Sequence, residues 1–266
     1  MIPKIIHYCW FGRNSLPQLA IKCIESWKKF LPEYEIKEWN EDNFDVNIIP
    51  YTREAYAAKK YAFVSDYARF WILYHHGGLY FDTDVEVIKP MNHIIAKGNF
   101  MGCEKPAVVG ATPMQMGVAP GLGLGVVPGL GLMKEILDAY GKFHFLNSDG
   151  TLNTTTIVDY TSEILCRHGL RNTPDIQEVA GIWIYPHDYF APKNVDTKIL
   201  TITKNTVSIH HYDASWAEWY DRTAGERGPK LKRILGNTLG TKINLLIYLL
   251  QKYGLIGCLR KIFSKR

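Results

Sequence analysis

Apolar and polar positions follow two different periods along the first 90 residues. Residues 2–11 and 34–39 carry the continuous or alternating apolar pattern of strands. Residues 17–30 repeat apolar side chains at helical spacing, and Pro32 ends that repeat. Residues 62–74 repeat large apolar and aromatic side chains every three or four positions, which predicts a helix buried on most sides. Strands that alternate with helices in this way predict βαβ units, a mainly parallel sheet and an α/β fold.

The pattern continues more weakly beyond residue 90. It predicts strands at 94–102, 182–185 and 199–202, a helix at 132–143, and a helix that starts with Asn153 or Thr154 as its N-cap. Residues 110–132 are rich in glycine, but they have neither the lysine of a P-loop nor a G-x-G pair that opens a helix. We interpret this segment as a flexible loop or as an edge strand thinned by glycines.

Two aspartates follow the buried helix at short spacing. A glycine pair ends the helix after residue 76, and an extended run then carries Asp82 and Asp84. On a strand, residues i and i+2 project to the same face, so the two carboxylates would converge. Like charges repel unless a cation lies between them, and a divalent cation that prefers oxygen ligands meets that need. A solvated acidic turn is the alternative, whereas an EF-hand loop would need glycine at Val87.

A charged pair lies on the buried helix itself. Asp66 and Arg69 are three positions apart, so they are neighbours on one face of an otherwise apolar element. One interpretation is a structural ion pair, because charges are seldom buried without a partner. The other is a functional pair, in which Arg69 faces a phosphate or a developing anion and Asp66 holds sugar hydroxyls.

Residues 207–216 form a second informative segment. A short strand there delivers His210 and His211. Ser215 and Trp216 follow it. Adjacent residues of a strand point to opposite faces, so only one of the two imidazoles can serve as a metal ligand. Imidazole and carboxylate together suit Mn²⁺, whereas an all-oxygen site suits Mg²⁺ or Ca²⁺. A histidine with a purely structural role is the alternative.

Composition limits the class of protein. The chain has 266 residues and 47% hydrophobic residues, enough for the core of one α/β domain. Its five cysteines are scattered and form no C-x-x-C pair, which argues against a disulfide framework or a thiolate zinc site and favours a reducing compartment. The N-terminus shows no signal-peptide pattern, and the apolar run at 245–250 is too short to span a bilayer.

Charge divides the chain unevenly. Residues 228–266 contain nine Lys or Arg and no Asp or Glu, which leaves 22 basic and 26 acidic residues in 1–227. In the C-terminal segment, leucine and isoleucine recur at roughly helical spacing among the basic residues. We therefore predict a domain at 1–227 and a basic amphipathic helical tail at 228–266 that contacts an anionic membrane. A tail helix packed on the body is the alternative, and the pattern does not favour nucleic-acid binding.

The motifs around the aspartates resemble a known family. S-D-x-x-R followed by G-G-x-Y-x-D-x-D resembles the DXD sugar-binding family of glycosyltransferases, family 32, which includes capsule and lipopolysaccharide sugar transferases and, more distantly, the large clostridial glucosylating toxins. The matching positions are Ser65, Asp66, Arg69, Gly77, Gly78, Tyr80, Asp82 and Asp84. The motif I-P-K-x-I-H-x-x-W-x-G at residues 2–12 resembles the N-terminus of the same family.

This resemblance implies a GT-A nucleotide-sugar-binding fold and a retaining, metal-dependent glycosyltransferase. Asp82 and Asp84 would hold Mn²⁺ or Mg²⁺ against the diphosphate of a nucleotide sugar. Arg69 would add a fixed positive charge, and Asp66 would orient the donor sugar. Ser65 belongs to the same donor-binding set, and Asp66, Arg69 and Asp84 are the expected catalytic residues.

The resemblance also assigns roles outside the central motif. The residues alone favour a core or lid role for Trp10 and leave stacking on a base as the alternative. The resemblance implies that Trp10 stacks on the donor base, and this favours UDP. The third metal ligand would come from the histidine pair, with His211 favoured over His210. Ser215 and Trp216 would close over the diphosphate.

The expected partners are a nucleotide-sugar donor, with UDP favoured, and a saccharide or lipid-linked oligosaccharide acceptor. The donor stays open among UDP-galactose, UDP-glucose, UDP-N-acetylglucosamine and GDP-mannose. The resemblance suggests bacterial surface polysaccharide or lipopolysaccharide synthesis. Because the sequence shows no signal-peptide pattern and no membrane-spanning run, we expect the protein in the cytoplasm, and the basic tail suggests the inner face of the cytoplasmic membrane. Two alternatives remain: a metal-dependent phosphohydrolase, for which no nucleophile or second metal cluster is evident, and a non-catalytic module that binds nucleotide sugar or lipid-linked saccharide.

Overall fold

A computed structural model of the chain describes residues 1–108, 110–195, 197–213 and 219–263. The strands are β1 (Ile5–Cys9), β2 (Glu35–Trp39), β3 (Gly78–Tyr80), β4 (Val85–Val87), β5 (Phe100–Cys103), β6 (Val118–Val126), β7 (Gln177–Val179), β8 (Ile182–Tyr185) and β9 (Ser208–His210). The α-helices are α1 (Gln18–Phe30), α2 (Pro50–Ala57), α3 (Tyr61–His76), α4 (Asn92–Ile95), α5 (Gly131–Tyr140), α6 (Ile157–Arg167), α7 (His187–Phe190) and α8 (Trp219–Phe263), and a 3₁₀-helix covers Pro113–Met116.

The chain divides into two compact units. The first, here called the body, comprises Met1–Asn194 and Ile199–Tyr212, and the second, the tail unit, comprises Val195–Lys198 and Asp213–Arg266. The body contains all the strands named above, and the tail unit contains α8. The domain boundary expected at residue 227 stays a prediction.

A seven-stranded sheet with the order β2-β1-β3-β6-β5-β8-β7 organises the body. β1 pairs in parallel with β2 and β3, and β5 pairs in parallel with β8. β6 is antiparallel to β3 and β5, and β7 is antiparallel to β8, so five of the seven strands run in one direction. The α/β class and the mostly parallel sheet are confirmed.

Apolar side chains cover both faces of this sheet. Ile6 of β1 and Leu79 of β3 belong to one buried cluster, which also contains Trp27 of α1. Cys9 and Tyr80, on the opposite faces of the same two strands, belong to a second cluster. That second cluster includes the buried side of α3, in agreement with the helix predicted at 62–74. The sheet is therefore an inner layer, with its strand ends left to build a site.

Residues 118–126 of the glycine-rich segment form the central strand of the sheet. β6 lies between β3 and β5, and all nine of its residues are buried. A Cβ on Gly125 would lie 2.2 Å from the Phe100 ring, and one on Gly102 of β5 would lie 2.5 Å from the Phe190 ring. For these residues the expectation of a loop or edge strand is wrong, because here glycine leaves room for neighbouring aromatic rings inside the core.

The extended run after α3 is interrupted at the two aspartates. β3 ends at Tyr80, and the Val85 N–H donates to the Asp82 carbonyl at 3.0 Å, which closes a turn. β4 then pairs with β9 in a separate two-stranded sheet. The prediction that Asp82 and Asp84 share one strand face is wrong, since the chain turns between them to pass from one sheet to the other.

Three further element boundaries differ from the sequence pattern. The segment predicted as a strand at 94–102 begins within α4 and becomes a strand only at Phe100. Residues 199–202 form no strand and contribute one isolated bridge, from Leu200 to Lys193. The N-cap of α6 is Thr156, which forms a capping box with Asp159, so the helix begins slightly later than predicted.

The tail helix is also interrupted. α8 has non-helical backbone at Gly236 (φ 76°, ψ 165°) and at Gly254 (φ 67°, ψ 179°), which separates segments 219–235, 237–253 and 255–263. Both dihedrals are costly for residues with a Cβ, so glycine permits the breaks. None of the helices in the described residues is sufficiently long and hydrophobic to traverse a lipid bilayer.

Candidate functional site

Part of the predicted site lies at one edge of the central sheet. Trp10 follows the carboxyl end of β1, and Asp82 follows the carboxyl end of β3, which is the parallel neighbour of β1. Gly121 of β6 meets the same edge, since the Asp82 N–H donates to its carbonyl at 3.0 Å. Ligands of α/β sheets bind at the carboxyl ends of strands, so this edge is the candidate site.

Arg69 connects α3 to the turn at residues 82–85. Its side chain is 4% exposed, and one terminal nitrogen lies 2.9 Å from Asp66 and 3.3 Å from Asp82. The Nε–H donates to the carbonyl of Ser65 at 3.1 Å, and the guanidinium lies 4.8 Å from the centre of the Tyr80 ring. One buried cation therefore binds two carboxylates, which makes its position much better defined than that of a surface pair.

The electrostatics of this cluster follow from burial and proximity. Burial raises the pKa of Asp66 to about 7, although the neighbouring Arg69 opposes the rise. Burial alone would lower the pKa of Arg69, but Asp82, Tyr80 and Asp66 outweigh it and raise the pKa above its ordinary value. The guanidinium is therefore a permanent positive charge, held in place before any ligand arrives.

Gly121 allows Asp82 to occupy its position. A Cβ built on Gly121 would lie 1.8 Å from Asp82 Oδ2 and 2.9 Å from a terminal nitrogen of Arg69. The first separation is far below any van der Waals contact, and a shift of the Asp82 carboxylate that relieved it would disturb the contact with Arg69. Gly121 is a site residue that the sequence pattern did not reveal, since the glycines of residues 110–132 indicated only a loop or a weak strand.

The second aspartate lies against a histidine. Asp84 Oδ1 is 3.0 Å from His210 Nε2, and the two side chains are 17% and 15% exposed. Pairing of β4 with β9 places Val85 opposite His210 and so fixes this contact. Burial lowers the pKa of His210, but Asp84 outweighs that effect and the net shift is upward. His210 Nδ1 is buried without a hydrogen-bond partner among the residues that the structure describes.

The side chain of His211, the favoured ligand, points elsewhere. Its Nε2 lies 2.8 Å from Glu86 Oε2, and Glu86 also binds Lys22 at 2.8 Å. Only the backbone of His211 reaches the site, where its N–H donates to the Asp84 carbonyl at 3.0 Å. The two imidazoles, one at the last residue of β9 and one just after it, have different partners, and the structure brings His210, not His211, to the aspartates.

Tyr212, two residues after His210, packs its ring against the His210 imidazole. The two rings are 4.1 Å apart and nearly perpendicular, at 70°. Tyr212 has φ of 53°, a left-handed backbone that is uncommon for a residue with a large side chain, and its hydroxyl is buried without a partner among the described residues. Sequence patterning carried no signal for Tyr212, because only folding places it against the imidazole.

The chain is similar to known glycosyltransferases. Residues 17–101 match the family model described as "Glycosyltransferase sugar-binding region containing DXD motif". An uncharacterized glycosyltransferase of Acanthamoeba polyphaga mimivirus is 35% identical over 226 residues, which is 82% of this chain and 84% of the relative. The chain belongs to the DXD glycosyltransferase family.

Other family relatives match over shorter stretches. Inositol phosphoceramide mannosyltransferase 1 of Schizosaccharomyces pombe is 29% identical over 111 residues, 38% of this chain and 33% of the relative, so the match spans about a third of that protein. Inositol phosphoceramide mannosyltransferase 3 of the same organism is 31% identical over 99 residues, 35% of this chain and 28% of the relative. Among solved structures, "PaToxG Glycosyltransferase" aligns with a TM-score of 0.43 and 20% identity, over 62% of this chain and 69% of that one.

The remaining predicted residues of this DXD glycosyltransferase have different surroundings. Trp10 is partly buried, and its Nε1–H donates to the Asn14 carbonyl at 2.6 Å, which fixes the indole at the edge of the sheet. The Ser65 hydroxyl donates to a carbonyl of its own helix at 3.2 Å, so it does not contact the aspartates. Ser215 and Trp216 lie outside the described residues.

The DXD aspartates offer a donor set suited to a divalent cation. Among the residues that the structure describes, no three His, Cys, Asp or Glu side chains form a ready cluster for a metal ion. Asp82 and Asp84 nevertheless supply carboxylate oxygens from a single turn, and His210 supplies a nitrogen next to Asp84. Carboxylate with imidazole is a donor set that Mn²⁺ accepts, and substrate phosphates and water commonly complete such sites. The residues fit the cofactor that the motif implies.

Proposed function

We propose that the chain is a metal-dependent glycosyltransferase that moves a sugar from a nucleotide sugar to a saccharide acceptor. The observation that supports this most strongly is the buried Arg69, which binds Asp66 and Asp82 at the carboxyl ends of the parallel strands in a member of the DXD family. A pre-placed cation next to a metal-binding carboxylate is suited to a reaction that leaves negative charge on a diphosphate.

The metal would be held by Asp82, Asp84 and, in place of His211, His210. When bound, Mn²⁺ or Mg²⁺ would neutralise the charge that develops on the departing nucleoside diphosphate. The protein's own contribution is positional, since Arg69 fixes the Asp82 carboxylate and Asp84 is held by His210. Asp66, at the buried end of the same cluster, would orient the donor sugar through its free lone pairs.

We propose UDP as the nucleotide carrier. Support comes from Trp10, a fixed aromatic side chain at the carboxyl end of β1, on which a planar base can stack. Ser215 and Trp216 keep the role that the resemblance implies, closure over the diphosphate with exclusion of water. Retention at the anomeric carbon is part of the proposal, by attack of the acceptor hydroxyl on the face that the diphosphate leaves.

The proposed acceptor is a saccharide, in particular one linked to a lipid. Relatives named inositol phosphoceramide mannosyltransferases support a lipid-linked acceptor. The basic residues of 228–266 support contact with an anionic membrane surface, where such an acceptor would be found. We place the enzyme in the cytoplasm, peripheral to the inner face of the membrane, and in the synthesis of surface polysaccharide or lipopolysaccharide.

The test is release of nucleoside diphosphate from a panel of donors. The protein is incubated with UDP-galactose, UDP-glucose, UDP-N-acetylglucosamine or GDP-mannose and Mn²⁺, with and without EDTA. We expect slow hydrolysis of one donor that EDTA abolishes and that Asp84→Ala removes while circular dichroism stays unchanged. Full activity of Asp84→Ala would contradict the proposed metal site.

The same panel separates the rival functions. A phosphohydrolase would release inorganic phosphate or a sugar phosphate, and a binding module would bind a donor without turnover. GDP-mannose is the specific rival donor, because two relatives are named mannosyltransferases. Turnover of GDP-mannose in preference to every UDP-sugar would overturn the proposed carrier and leave the reaction class intact.

A further inference from the structure

The tail unit folds back on itself as two antiparallel helices. Gly236 breaks α8, and a Cβ on Gly240 would lie 2.7 Å from the backbone of Leu231. Further from the break, Arg227 donates from Nε to Asn244 Oδ1 at 2.9 Å. These contacts join segments 219–235 and 237–253 into a helical hairpin whose turn is at Gly236, and close packing at Gly240 defines how the helices cross.

The hairpin leaves large apolar side chains in solvent. At the turn, Ile234 is 72% exposed and Leu239 is 51% exposed, and Leu235 is exposed between them. The exposed apolar side chains further along α8 are Leu245, Leu246, Leu250, Tyr253, Leu255 and Ile256. Large apolar side chains exposed in this number on one unit mark a surface that another molecule covers.

The charge around the turn restricts what that molecule is. Lys232, Arg233 and Lys242 are exposed close to the turn, and residues 228–266 contain nine basic residues and no acidic one. A second copy of the tail would bring the same positive charge to the interface and repel. A nucleic acid would leave the leucines and isoleucines in water. An anionic lipid leaflet supplies phosphates and acyl chains together.

We propose that the hairpin inserts its turn, with Ile234, Leu235 and Leu239, into an anionic leaflet. Lys232, Arg233 and Lys242 then lie at the level of the headgroup phosphates. This deepens the proposed function, on which it rests for its biological meaning, by identifying the part of the tail that enters the membrane. A single helix lying flat would bury one continuous face, whereas the break at Gly236 makes the turn the inserted end.

The test measures binding of the full chain to vesicles by flotation. We expect binding to phosphatidylserine–phosphatidylcholine vesicles, none to phosphatidylcholine alone, and weakening by salt. Ile234→Asp combined with Leu235→Asp should reduce binding about tenfold or more, since charge is placed at the acyl boundary. The matched control is Ile21→Asp, at an exposed apolar position of α1 in the body, which should bind like the wild type.

Three results would overturn the proposal. The first is failure of the full chain to bind anionic vesicles, and the second is wild-type binding by the double aspartate variant. The third is a dimer in light scattering that this variant abolishes, because the apolar surface would then be covered by a second copy. The substituted side chains are exposed, and helicity measured by circular dichroism checks that the hairpin still forms.

Nucleoside diphosphate release without vesicles separates this inference from the proposed function. The turn variant should keep the wild-type release rate, because its substitutions lie outside the catalytic cluster. Vesicle binding by a protein that releases no diphosphate would contradict the transferase function alone. Release without vesicle binding would contradict the membrane inference alone.

Discussion

At the scale of single residues, the site depends on a close fit between a carboxylate, a guanidinium and a glycine. Asp82 binds Arg69 on one side, and on the other its Oδ2 occupies the space that a Cβ on Gly121 would need. Each of the three restricts the other two, so the carboxylate has one position. A substitution at one of these three residues is expected to reduce the activity more than the stability, because few groups are involved and the surrounding core is large.

Gly121→Ala is expected to reduce donor turnover by about 100-fold, since the added methyl displaces the Asp82 carboxylate by an ångström or more. Steady-state release of nucleoside diphosphate measures the effect. Gly131→Ala is the matched control, because nothing lies within 4 Å of a Cβ at that position, and it should retain wild-type turnover. Equal turnover by both variants would show that Asp82 has no fixed position.

The adjacent histidines at the end of β9, His210 and His211, give a second prediction at this scale. His210→Ala should raise the Mn²⁺ concentration needed for half-maximal donor hydrolysis by about 10- to 100-fold, because His210 is the imidazole beside Asp84. His211→Ala should leave the Mn²⁺ requirement unchanged, since its imidazole binds Glu86. A metal titration of both variants decides the assignment, and the reverse order of effects would restore His211 as the ligand.

At the scale of elements, short interactions at the ends of helices and strands place the site residues. Gly77, with φ of 63°, ends α3 so that β3 can begin directly, and the turn after β3 then sends the chain into β4. The start of α6 is defined by the capping box of Thr156 and Asp159 and not by the pattern of apolar residues. Such terminal contacts involve few residues, so each can be tested by one substitution.

Thr156→Ala should destabilise the protein by about 1 kcal/mol, because it removes the hydroxyl that accepts the Asp159 N–H at the start of α6. Thr154→Ala is the matched control, because Thr154 is one of the two N-cap positions that the sequence indicated in place of Thr156. Its effect should stay within about 0.5 kcal/mol, as for most surface substitutions. Urea unfolding of both variants measures the difference, and a larger loss in Thr154→Ala would contradict the observed cap.

At the scale of the whole molecule, a buried histidine ties three parts of the body together. His7 of β1 is 1% exposed, its Nδ1 accepts the Trp39 Nε1–H at 3.0 Å, and its Nε2 donates to the Gly77 carbonyl at 2.9 Å. In the neutral ring, both nitrogens therefore form hydrogen bonds. Burial lowers the pKa of His7 to about 4, because the buried site disfavours the charged ring, and the nearby His76 and Lys37 lower it further.

This histidine makes stability depend on pH with a definite sign. The His7 ring takes up a proton near pH 6.5 in the unfolded chain and only near pH 4 in the folded chain. The contribution of neutral His7 to the free energy of unfolding is therefore fully present above pH 6.5 and is lost as the pH falls to 4. The full loss is on the order of 3 kcal/mol. Urea unfolding between pH 7 and 4 measures it, and His7→Gln should show a shallower slope. An unchanged slope would mean that other groups cause the pH dependence.

The sequence by itself determined the elements whose residues carry local information. Helical spacing and a glycine stop defined α3, and alternation gave β1, β2 and β8. The spacing of Asp66, Arg69, Asp82 and Asp84 identified the family before any geometry was known. These signals are readable because helix periodicity, glycine dihedrals and short motifs depend on residues that are near one another in the chain.

The tertiary structure decided what depends on distant residues. The register of β4 against β9 selected His210 for Asp84, and the central place of β6 brought Gly121 against Asp82. The glycines of β6 indicated a loop or an edge strand. The aromatic rings that require glycine at these positions come from distant parts of the sequence, so the local pattern could not show the requirement. Contacts across strands and sheets are fixed by the packed core as a whole, so local patterns cannot specify them.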